Sequence, residues 1–76
     1  MDRKTAESVV SSIEAATEQL NVALKLAQER FDKDDFEEFR SAVATVLVEL
    51  QASVLRPVYL HHRDLDKYGY LRHRTR

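Results

Sequence analysis

The apolar residues fall into two heptad stripes that are out of phase with each other. That mismatch constrains the fold more than any other feature of the chain. In the first half Ala6, Ile13, Leu20 and Ala27 recur every seven residues. Val9, Ala16 and Ala23 follow three positions later, flanked by Val10, Thr17, Leu24 and Phe31. In the second half Phe36, Val43 and Leu50 recur, with Phe39, Val46 and Ser53 three positions later and Leu47 and Val54 beside them. Each stripe has the width of a core-facing helix face. Extended past Ala27, the first stripe would land on Asp34, Ser41 and Val48, two positions out of step. A continuous coiled coil absorbs insertions of three or four residues, not two. The slip therefore predicts two helices that reverse through the polar connection Asp32-Lys33-Asp34-Asp35, an antiparallel αα-hairpin, rather than one rod.

The expected boundaries follow from end signals. Helix 1 covers about residues 4–31, with Asp2 or Thr5 as its cap. Helix 2 covers about residues 35–56. Asp34 is its expected cap, with Glu37 reaching back from the third position. Arg56-Pro57 closes or kinks the helix, because proline lacks an N–H and disfavours helical geometry in the residue before it. The same proline suits the first turn of a further short helix. Residues 1–56 are thus read as a helical hairpin and 57–76 as a basic C-terminal extension rich in Tyr and His. Val58, Leu60, Leu65 and Leu71, with Tyr59, Tyr68 and Tyr70, give the extension enough apolar mass to dock, tyrosine hydroxyls outward. Gly69, the only glycine, marks a turn or a helix end. The last five residues read as solvated and frayed.

With 76 residues the chain buries only about 60% of its unfolded surface, so a lone hairpin is marginal. Small scaffolds need disulfides, a metal or a partner. Cysteine is absent, which excludes disulfides and thiolate metal sites. The expected support is twofold pairing of two hairpins into a four-helix-bundle homodimer. Its core and interface would be built by Ile13, Leu20, Leu24, Phe31, Phe36, Phe39, Val43, Val46, Leu47 and Leu50. Ala44, Val48, Ala52 and Leu55 lie off the main stripe and face outward, toward the tail or a protein partner.

Charge is unevenly placed. Residues 1–55 carry six Lys/Arg and eleven Asp/Glu, whereas 56–76 carry six Lys/Arg, two Asp and all three histidines. A basic tail beside an acidic body either meets an anionic partner or folds onto that body. An anion would be met by Arg63, Lys67, Arg72, Arg74 and Arg76. With tyrosines interleaved, these define the alternative reading, a nucleic-acid-associated regulator.

Catalytic patterns fail on inspection. His62-Arg63-Asp64-Leu65 spells part of a kinase catalytic loop, but Gly69 stands where the metal-holding asparagine belongs, and no glycine-rich loop exists. The acids Asp32 to Glu38 lack the glycine and terminal glutamate of a calcium loop. His61, His62, Asp64, Asp66 and His73 are ligand types, but no two of the histidines are four residues apart, so no metal or cofactor is assigned. Ser8, Ser11, Ser12, Ser41 and Ser53 have no neighbouring base to activate them. No run approaches 18 consecutive apolar residues, and the N-terminus lacks a signal peptide's apolar core. The resulting expectation is a small, cytoplasmic, non-enzymatic protein–protein interaction module.

Overall fold

A computed structural model describes residues 1–73, with side chains through Leu71. Every element is helical: α1 spans Arg3–Arg30, α2 Lys33–Glu49, a π-helical turn Leu50–Val54, α3 Arg56–His61, a 3-10 turn Arg63–Leu65 and α4 Tyr70–His73. The expected all-α class with two long helices holds.

Both long helices start at a capping aspartate. Asp2 is extended and its carboxylate accepts from Thr5 N at 2.8 Å and Thr5 Oγ1 at 2.9 Å. The cap of α2 is Asp32, which accepts from Asp35 N at 2.8 Å, and not Asp34 as the sequence pattern indicated. Asp34 and Asp35 lie inside the first turn, where acids suit the positive end of the helix. Glu37, expected to reach back to the cap, instead accepts from Arg40 Nη2 at 2.6 Å. The connection is therefore shorter than predicted: only Phe31 and Asp32 separate the two helices. Both have extended backbone. The Phe31 and Phe39 rings meet edge to face just beyond it, with centroids 5.6 Å apart.

The second correction concerns the end of α2. The expected helix to residue 56 stops at Glu49 and continues as the π turn, in which Leu55 N donates to Leu50 O at 3.0 Å. A π turn inserts one residue into the helical count and displaces every following side chain by one position. The inward place that the heptad pattern assigned to Val54 therefore passes to Leu55. Val54 is 53% exposed, whereas Leu55, expected to face outward, is the most deeply buried large side chain. Ala52, also expected outward, is buried. Pro57, which cannot donate to the carbonyl four residues back, then sits in the first turn of α3 as expected.

The core lies at this end. Ala6, Val10, Leu55, Val58, Tyr59 and Leu71 form one buried cluster, with Ile13 and Leu65 packed against it. It joins the start of α1 to the π turn, α3 and α4. Leu60, expected to dock, is 45% exposed. Tyr59 contradicts the outward-hydroxyl expectation: it is buried and donates to Gln51 Oε1 at 2.6 Å, so the phenol is not left unsatisfied. Gly69 makes the predicted turn at φ 71°. Asp66 closes that turn, its carboxylate accepting from Tyr70 N and Leu71 N at 2.9 Å each. Of the terminal residues expected to fray, Arg72 and His73 belong to α4 by backbone, and 74–76 lie outside the described residues.

Candidate interaction surfaces

The molecule is a thin plate, 44 × 29 × 14 Å. The radius of gyration is 14.7 Å, against about 11 Å for a compact chain of this length. The solvent-accessible surface is 5727 Å², roughly a fifth more than the ~4800 Å² of a folded monomer of this mass. The chain ends contribute some of that excess. Exposed apolar side chains, among them Val9, Val22, Leu26, Val46 and Val48, contribute to the rest.

Two surfaces result, one on each side of the plate. On one side a groove of about 720 Å³ runs between α1 and α2, lined among others by Glu14 and Glu18 of α1, Leu47 and Val48 of α2, and Tyr68 and Tyr70. The opposite side follows from helical geometry, since two residues along a helix is about 200° around it. Ala16 therefore points away from Glu14 and Glu18, and Val46 away from Val48. This back face carries Val9, Ala16 and Ala23 on α1 and Phe39, Ala42 and Val46 on α2. Val9 is 39% and Val46 46% exposed. Ala16 and Ala42 are also exposed.

The residues assigned to a core or interface divide accordingly. Val43 is buried, and Ile13, Leu20, Leu24, Phe36, Phe39, Leu47 and Leu50 are half-buried. Phe31, at 47%, and Val46 are exposed in the single chain, because the turn and the back face leave them uncovered. The periodic pattern did not mark Leu55, Val58, Tyr59 and Leu71 as one cluster, since the π turn that aligns them has no sequence signature of its own. The 29 residues Lys33–His61 contain an 18-residue window of mean hydropathy 1.3, of which 28% is buried here. By length and composition this run is apolar enough to cross a membrane, although no uninterrupted apolar stretch marks it.

The tail's charges partly fold onto the body. Lys67 Nζ lies 3.3 Å from Glu14 Oε2. Arg3 makes a bidentate contact to Asp64, at 2.9 and 2.6 Å, and its Nε reaches Glu7 at 3.0 Å. These hydrogen bonds hold the Asp64 carboxyl below its usual range and raise the Arg3 guanidinium further. His62 Nε2 stands 3.1 Å from the Met1 carbonyl oxygen, so the tail closes over the N-terminus. Arg63 is exposed on the 3-10 turn. The side chains of Arg72, His73, Arg74 and Arg76 lie outside the described residues. Among the described residues no group of three or more His, Asp or Glu side chains comes together in a metal-binding arrangement. The chain matches no family model, no curated protein and no solved structure.

Proposed function

We propose that this chain is a small, non-enzymatic interaction module whose two long helices act as an antiparallel hairpin and pair with a second copy into a four-helix bundle. The observation that carries this reading is the uncovered back face. On α1 it presents small residues, Ala16 and Ala23. On α2 it presents bulkier ones, Phe39 and Val46. In a twofold pairing that sets α1 of one copy on α2 of the other, bulky side chains meet small ones, the interdigitation a bundle core needs. The apolar surplus of α2 fits the same reading: a helix apolar on several sides requires several neighbours.

Sedimentation analysis of the full chain tests the proposal. The expected result is a dimer at micromolar concentration. Val46→Glu should yield monomer, because the exposed site tolerates a charge in the single chain within about 0.5 kcal/mol, whereas an unpaired carboxylate in an interface costs several kcal/mol. Val22→Glu, at a 49% exposed position off the back face, should leave the dimer intact. A wild-type monomer, or a Val46→Glu dimer as tight as wild type, overturns the reading. Chain that sediments only with added vesicles would assign the same apolar surface to lipid.

A further inference from the structure

The groove on the other side of the plate remains open in such a dimer, and its chemistry differs from that of the back face. One wall, on α1, is acidic through Glu14 and Glu18. The other, on α2, is apolar through Leu47 and the 56% exposed Val48. Tyr68 and Tyr70 close one end, their rings edge to face with centroids 6.1 Å apart, and Tyr68 is 70% exposed. Among the described residues no basic side chain lines the groove. Carboxylates and tyrosine ring faces both attract cations, and exposed tyrosines are frequent anchors at protein interfaces. Lys67 already illustrates the preference, its ammonium drawn to Glu14 at the rim. That contact is solvent-exposed on both partners and is easily exchanged for another cation.

We infer that this groove receives a basic amphipathic helix of a partner protein, with arginine or lysine side chains set along the Glu14–Glu18 wall beside Tyr68 and apolar side chains against Leu47 and Val48. The helical wall from Ser11 to Asn21 is about 15 Å long, room for nearly three turns of a helix laid alongside. This deepens the interaction-module reading by naming the partner's chemistry, and it does not depend on the dimer.

The test uses the full chain and a fluorescein-labelled amphipathic helical peptide of Leu, Ala and Arg, with a twin carrying Glu in place of Arg. Fluorescence anisotropy should show the basic peptide binding, more weakly at high salt, and the acidic twin not binding. Glu18→Gln should weaken binding roughly fivefold and Tyr68→Ala roughly tenfold. Glu38→Gln makes the same charge change away from the groove and should have no effect. Circular dichroism of each variant verifies that the fold is retained. Equal losses from Glu18→Gln and Glu38→Gln would reduce the effect to general charge attraction and overturn the site, as would equal binding of the two peptides or none of the basic one. Val46→Glu separates the two proposals: it should abolish the dimer and leave peptide affinity unchanged.

Discussion

Leu55→Ala is the substitution that most directly tests the arrangement of the core. Leu55 is 0% exposed and is the only large side chain buried so completely among the described residues. Truncating a fully buried leucine removes its transfer free energy and leaves a cavity, at a cost of about 2–5 kcal/mol. The total stability of a 76-residue domain is about 4–11 kcal/mol at typical per-residue values. One truncation would therefore remove a large fraction of it. For a domain of this size each kcal/mol shifts Tm by roughly 4–8 °C, so a fall of about 10 °C or more is expected. The neighbouring Val54→Ala supplies the control. Its side chain is 53% exposed and should cost less than about 1 kcal/mol. Urea unfolding followed by circular dichroism reports both values, with all variants at one protein concentration, since any self-association adds to apparent stability. A continuous α-helical register predicts the reverse order, with Val54 inward and Leu55 outward. A loss below about 1 kcal/mol for Leu55→Ala, or a larger loss for Val54→Ala, would refute the π-turn register and the core built on it.

Three further outcomes are expected. Asp32→Ala should destabilise by about 1 kcal/mol through loss of the α2 cap, while Asp34→Ala should be close to neutral, as a chemical-denaturation series would show. Combining Arg3→Ala with Asp64→Ala in a double-mutant cycle should reveal a small coupling that fades with added salt. Because Arg3 lowers the Asp64 pKa, that coupling should be present above the usual carboxylate range and be lost as pH falls through the lowered value. Burial, aided by nearby Asp66 and Glu14, pushes the Tyr59 hydroxyl up to about 12 from 10.0. The unfolded chain thus releases that proton first, so the stability tied to neutral Tyr59 is complete below pH 10 and declines between 10 and 12. Tyr59→Phe should remove that part of the alkaline loss in pH-dependent melts.

The sequence alone determined what depends on neighbours within a few turns. Heptad spacing placed two long helices, and the two-residue slip between the stripes marked where the first one ends. Asp2, Pro57 and Gly69 punctuate the chain as their backbone chemistry requires. Tertiary structure decided which side of each helix is covered. Asp32 and Asp34 are equally good caps by type, and only the structure shows that Asp32 takes the role while Asp34 lies inside the first turn. One extra residue in the helical count at Leu50–Val54 rotated everything after it, moving Leu55 inward and docking the tail on the start of α1. Periodicity could not register that rotation, because the packing of Val58, Tyr59 and Leu71 against Ala6 and Val10 connects residues about fifty or more positions apart. The open back face and the groove have the same origin. Which apolar residues remain exposed is settled only once the helices have packed, because burial depends on neighbours distant in the chain.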